Sequence, residues 1–137
     1  REGIVEYARA GHTELLVHLP GHKIRRIFPD GAALGLMPDE VVGNFDILSF
    51  TFLPGMSLLL FTDGITEALN GQDEEFGLNR LSEMFAGSLG GKGAAQQAIE
   101  GILGQVDEFS GSEAQFDDQT LILISHHLPV AGAGAAQ

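Results

Sequence analysis

Leu58-Leu59-Leu60-Phe61-Thr62-Asp63-Gly64-Ile65-Thr66-Glu67-Ala68 is the stretch on which the fold turns. A continuous apolar run stops at an aspartate, and a glycine follows at once. With Pro54-Gly55 before it and Asp63-Gly64 at its end, the run reads as a buried strand. It carries a carboxylate to the strand's end, where the backbone turns away and leaves room for a cation or a phosphate. A second acidic pair, Asp117-Asp118, opens another apolar run, Leu121-Ile122-Leu123-Ile124. Two buried strands with acids at their ends point to hard-metal chemistry, because oxygen ligands suit magnesium, manganese and calcium.

Outward from that strand, the first half of the chain alternates in the manner of antiparallel strands. Ile4-Val5-Glu6-Tyr7 begins one, and Gly11-His12-Thr13 makes a tight connection to the next. Pro20-Gly21-His22 separates two strand-like runs, so residues 14–19 and 23–28 are expected to form a hairpin. Residues 29–40 read as a loop. Residues 45–52 alternate again, and Pro54-Gly55 is expected to fold them back on residues 56–62 as a second hairpin. After Asn70-Gly71 the period changes: Leu78, Leu81, Met84 and Phe85 fall at helical spacing. A glycine-rich connection, 87–93, leads to a second helix over 94–109 with Ile99, Ile102, Leu103 and Val106 on its apolar stripe. Gly101 and Gly104 weaken that helix by roughly 1 kcal/mol each relative to alanine. A last strand covers 119–125. This order predicts an α+β fold, antiparallel sheet layers with helices packed on the face. Residues 129–137, which hold little but alanine and glycine, are expected to be a disordered tail after a domain spanning 1–128.

Composition narrows the functions open to such a domain. The 137 residues are 44% hydrophobic, enough for one core. No apolar run approaches the ~20 residues of a membrane span, and no signal-peptide pattern opens the chain. With no cysteine, disulfides and thiolate zinc sites are excluded, which fits a cytoplasmic protein. Nineteen acids against seven Lys plus Arg give a formal net charge of −12. That field repels a polyanion, so nucleic acid is not an expected partner. Most of the acids serve solubility; a few must converge if they are to hold a metal. The first residues enter a strand without a methionine, which suggests a piece of a longer protein.

Each candidate also has a plainer reading. Asp63-Gly64 is a favoured turn pair whatever its function. Glu67 reads as a structural or capping residue, and His12 as a side chain that fixes its loop by hydrogen bonding. His18 and His22 read as surface strand and turn residues, His126-His127 as a strand exit, and the five histidines show no zinc spacing. Neither a Gly-x-Ser-x-Gly elbow nor a Gly-Lys-Ser/Thr phosphate loop is present.

Several segments, taken in order, resemble a known family. They are Ala10-Gly11-His12, Pro54-Gly55 with the Leu58 to Ala68 stretch, Phe76-Gly77-Leu78-Asn79-Arg80-Leu81, and Asp117-Asp118-Gln119-Thr120-Leu121. The set resembles the metal-dependent PPM-type (type-2C) serine/threonine phosphatases, in particular the bacterial branch named after the stage II sporulation phosphatase and its sigma-factor-regulating relatives. The likeness extends over residues 5–124. It implies part of an α-β-β-α sandwich, with two Mn²⁺ or Mg²⁺ ions held by aspartates at the sheet edges to hydrolyse phosphoserine or phosphothreonine. The implied substrate is a phosphorylated regulatory protein of the anti-anti-sigma type. By the same resemblance Asp63 is the metal aspartate of the Asp-Gly motif and Asp117 the closing acid, with Asp118 its neighbouring alternative. Gly64 permits the close turn a metal position needs, and His12 supports the site.

The family's metal-bridging aspartate, in a Gly-Asp-x-x-Gly-type motif, has no counterpart here. Gly90-Gly91-Lys92-Gly93 lacks the acid and is no substitute. The chain is therefore expected to be the C-terminal part of such a domain, weakly active or inactive alone, with a free sheet edge open to a partner or a dimer. Two other classes compete. One is a non-catalytic interaction module on a phosphatase-like scaffold. The other is a phospho-accepting receiver, which the hairpins that come before any helix disfavour.

Overall fold

The computed structural model describes residues 3–36, 38, 43–88 and 94–126. The expected tail and most of the glycine-rich connection lie outside the described residues. Among the described residues, six strands and three helices follow one another: β1 (Gly3–Ala8), β2 (Leu15–Leu19), β3 (Lys23–Ile27), β4 (Ile47–Phe52), β5 (Ser57–Phe61), α1 (Asp63–Thr66), α2 (Gly77–Gly87), α3 (Ala94–Ser110) and β6 (Leu121–Ser125). They form two antiparallel sheets, one of four strands in the order β3-β2-β5-β6 and one of two, β1-β4.

The four-stranded sheet is covered on both faces. On one face Leu16, Leu59 and Phe61 pack against Ile65, Phe76, Leu81, Phe85, Ile102 and Val106 from the helical half. On the other, Leu15, Val17, Met56 and Leu58 meet Val5 and Tyr7 of β1 and Phe50 and Phe52 of β4. This double coverage explains why β2 and β5 are mostly apolar on both faces rather than alternating. The helices obey the spacing rule. Ala94, Ala98, Ile102 and Val106, four apart, form the buried stripe of α3, and Leu81 and Phe85 that of α2. An α+β arrangement of helices on antiparallel sheet layers is thus the architecture of the chain.

One expected pairing is not formed. The β2–β3 hairpin exists, with Leu15 opposite Ile27, but β4 pairs with β1, Gly3 opposite Phe52, and not with β5. The turn after β4, closed by the Met56 amide donating to the Leu53 carbonyl at 3.1 Å with Gly55 at φ +88°, carries the chain from one sheet to the other. Alternation and turn chemistry look alike at a hairpin and at such a corner. What separates them here is where Phe50, Phe52 and Leu58 lie, on facing surfaces of the same core.

Candidate metal centre

The strand register brings three segments to one end of the large sheet. Leu59 lies opposite both Leu16 of β2 and Leu123 of β6, and Phe61 lies opposite Leu121. The end of β5 therefore meets the start of β2 and the start of β6. Those are the places where Asp63, the Gly11–His12 turn and Asp117-Asp118 attach.

At this junction the two acidic loops touch through their backbones. A Cβ on Gly64 would sit 2.5 Å from the Asp118 carbonyl oxygen and 3.1 Å from that of Asp117, so only glycine fits. Thr62 joins the loops further. Its hydroxyl donates to the Asp118 carbonyl at 2.7 Å and accepts from the Thr120 amide at 2.9 Å, while its own amide donates to the Thr120 carbonyl at 3.1 Å. Asp63 opens the four-residue helix α1 and accepts the Gly64 amide on its carboxylate at 3.1 Å. The sequence reading has a plain turn at this point; the chain instead begins a helical turn, which Glu67 ends by donating its amide to the Asp63 carbonyl at 2.8 Å. Asp117 holds its own loop, accepting the Asp118 amide on its carboxylate at 2.7 Å and the Gln115 side-chain amide on its carbonyl at 2.8 Å. Asp63, Asp117 and Asp118 are all exposed at this edge.

The His12 turn is tied to the same place. Thr13 donates its hydroxyl to the Phe61 carbonyl, one residue before Thr62. Arg9 fixes the turn from the other side, donating to the carbonyls of His12 at 2.9 Å and Pro29 at 3.1 Å and lying 3.7 Å over the Phe28 ring. The bond found at His12 therefore involves its backbone carbonyl, and the side chain itself is exposed.

His18 departs from its expected surface position. It is 5% exposed, sits edge-on to Phe85 and His22, and neither of its ring nitrogens has a hydrogen-bond partner. Burial, with the neighbouring His22 adding to it, pushes its pKa below the usual 6.5. His22, in the turn as expected, bonds the Ala86 carbonyl at the end of α2 at 2.9 Å.

A cavity of about 380 Å³ opens beside Gly64 and Asp117, and Glu67, Glu75, Asp107 and Glu113 also line it. Among the described residues, no Lys, Arg or His is in that lining. A phosphoryl group entering this field alone would be repelled, whereas a divalent cation would be drawn in. Asp63, Asp117 and Asp118 offer only hard oxygen donors, the chemistry that Mg²⁺ and Mn²⁺ take, and the glycine contact keeps their loops together. Among the described residues, no three His, Cys, Asp or Glu side chains are grouped so that they could hold a metal ion, so Asp63, Asp117 and Asp118 share an edge through their backbones without their carboxylates forming one cluster. The donor set fits part of a site. Thr62 is the participant that sequence reasoning missed; its place just before Asp63 at a strand end is the only signal it gives.

Comparison with known proteins bears on the fold and the family. A sequence model described as Stage II sporulation protein E (SpoIIE) matches residues 1–127. Protein IcfG of Synechocystis is 31% identical over 123 residues, which are 89% of this chain and 18% of IcfG. The SiaA-PP2C domain of Pseudomonas aeruginosa superimposes with a TM-score of 0.71 at 22% identity, over 89% of this chain and 46% of that one. The RsbU and RsbW domains of a Mycobacterium tuberculosis protein give a TM-score of 0.65 at 22% identity, over 93% of this chain and 34% of theirs. This chain thus spans less than half of each of these relatives. The two solved structures share its fold, and the match over nearly the whole chain decides the lineage: this chain belongs to the stage II sporulation protein E family, whose solved relatives carry the type-2C phosphatase fold.

Proposed function

We propose that the chain is the C-terminal part of a metal-dependent phosphatase domain that hydrolyses phosphoserine or phosphothreonine on a regulatory protein of the anti-anti-sigma type, in the cytoplasm. The single observation that carries this reading is the contact of the two acidic loops across Gly64, where the Asp117 and Asp118 carbonyls leave no room for a side chain. Asp63 and Asp117, with Asp118 beside them, would hold Mn²⁺ or Mg²⁺. When bound, the ions would supply charge neutralisation for the phosphoryl oxygens and a lowered pKa for attacking water. The chain's own groups hold the donors in place: Thr62 and Gly64 set the spacing of the loops, and Thr13 and Arg9 secure the adjacent turn. The adjoining cavity, which Asp117 lines but Asp63 and Asp118 do not, is acidic, so a phosphoryl group there would need a cation beside it. Because the described residues hold no complete cage, turnover by this chain alone should be near background. The test is phosphate release from a phosphoserine peptide with Mn²⁺, by this chain and by the complete domain. Activity in the complete domain that falls at least 100-fold in Asp63→Asn supports the reading. Full activity of that variant contradicts it, and robust turnover by the 137-residue chain contradicts the partial-site assignment.

The other reading, a non-catalytic module on the same scaffold, draws on the same incompleteness of the ligand set. It predicts no Mn²⁺-dependent phosphate release from the complete domain.

A further inference from the structure

Thr62 stands at the N-cap position of α1, where a threonine hydroxyl ordinarily accepts an amide of the helix's first turn. It makes no such bond. Its hydroxyl is used across the gap instead, donating to the Asp118 carbonyl at 2.7 Å and accepting the Thr120 amide at 2.9 Å. Both partners belong to the segment that carries the second acidic pair. The bond between the Thr62 amide and the Thr120 carbonyl, 3.1 Å, already continues the β5–β6 ladder, so sheet pairing does not depend on the hydroxyl. Removing the hydroxyl would leave the Asp118 carbonyl and the Thr120 amide without these partners, on the loop that carries the second acidic pair. Gly64 allows the two backbones to approach, and Thr62 holds them there.

We infer that Thr62 is a positioning residue of the metal centre: its side chain sets the spacing between the Asp63 and Asp117-Asp118 loops and thereby the affinity for the divalent cation. This inference rests on the proposed metal site but assigns a role that the site's carboxylates do not contain. Groups that orient metal ligands from outside the coordination shell change affinity by about 10–100-fold when removed.

The experiment uses the 137-residue chain and Mn²⁺ alone, with free Mn²⁺ followed by electron paramagnetic resonance. Thr62→Val keeps the side chain's shape without its hydroxyl and is expected to weaken Mn²⁺ binding about 10-fold. Thr62→Ser keeps the hydroxyl and is expected to bind within about twofold of the parent chain, a rescue that steric support of the strand would not produce. Amide hydrogen exchange gives a readout free of metal: the Thr120 amide should lose protection in Thr62→Val while Leu59 and Leu123 keep theirs. Unchanged Thr120 protection, or unchanged Mn²⁺ affinity in Thr62→Val alongside lost binding in Asp63→Asn, would overturn the inference and leave the metal site standing. Full Mn²⁺ binding by Asp63→Asn would overturn the metal site itself.

Discussion

Gly64 is a position at which a single added methyl group would press directly on the neighbouring acidic loop. Its Cβ would meet two backbone carbonyls that cannot swing aside as a flexible side chain would. Gly64→Ala should therefore destabilise the chain by about 1–3 kcal/mol, the usual cost of overpacking, and weaken Mn²⁺ binding as the loops are pushed apart. Urea denaturation and a Mn²⁺ titration check the two effects; an alanine variant as stable as the parent would contradict the close contact of the loops at Gly64. His18 makes the second prediction at this scale. Its folded-state pKa lies below 6.5 because it is buried, so between about 6.5 and the lowered value the unfolded chain binds the proton first. The His18 contribution to stability is whole above about pH 6.5 and declines as pH falls through that window. Denaturation at pH 7.5 and pH 5 should show the loss, and His18→Leu should reduce it; an equal pH dependence in the variant would contradict the assignment. His18 was not legible as a core residue because a polar ring within a strand reads as a surface position. That strand is buried on both faces, and only the fold shows α2 lying over it.

At the scale of elements, local chemistry was readable where one rule governed and ambiguous where two tertiary arrangements satisfy the same rule. The apolar spacing of α2 and α3 carries into the structure at Leu81, Phe85, Ile102 and Val106, while Ile99 and Leu103 are half-buried and Ala94 and Ala98 complete the buried stripe. The β4–β5 corner was misread as a hairpin because Leu53-Pro54-Gly55-Met56 turns the chain equally well within a sheet or between two. The Asp63-Gly64 turn became the start of α1 because Ile65 finds a buried place against Phe76 and Phe85, which no local propensity encodes. Within α3, Gly101 and Gly104 are exposed, and nothing lies within 4 Å of a Cβ added at either. Gly101→Ala and Gly104→Ala should each stabilise the chain by about 0.8–1.0 kcal/mol, the opposite sign to Gly64→Ala. Thermal unfolding reads this, and a destabilised variant would mean that this face of α3 is covered in solution.

Over the whole molecule, the two sheets differ in how well they are closed. β6 pairs only with β5 among the described strands, carries no charge and no proline, and leaves Ile122 52% exposed and Ile124 47% exposed. Ile4 and Ile47 are likewise exposed on the β1–β4 sheet. An edge of this kind is a template for strand addition. The expected dimer through a free sheet edge translates into a measurement: light scattering should show association that rises with concentration and falls in Ile122→Lys and Ile124→Lys. Equal association in those variants would place the contact elsewhere. The candidate site was legible in part for a related reason. Asp63, Gly64, Asp117 and Asp118 stand at strand ends that the sequence marks clearly, and the register joins them. The Thr62 bridge depends on a contact between residues 58 positions apart, which no local pattern announces.

Manganese titration of the 137-residue chain with Asp63→Asn, Asp117→Asn and the double variant asks whether the two acidic loops act on one ion. If they do, each single substitution lowers Mn²⁺ affinity at least tenfold, and the double variant loses little more than either alone, because ligands of one ion are not independent. Parent-like affinity in either single variant, or losses that simply add, would contradict a shared metal position at the Gly64 contact.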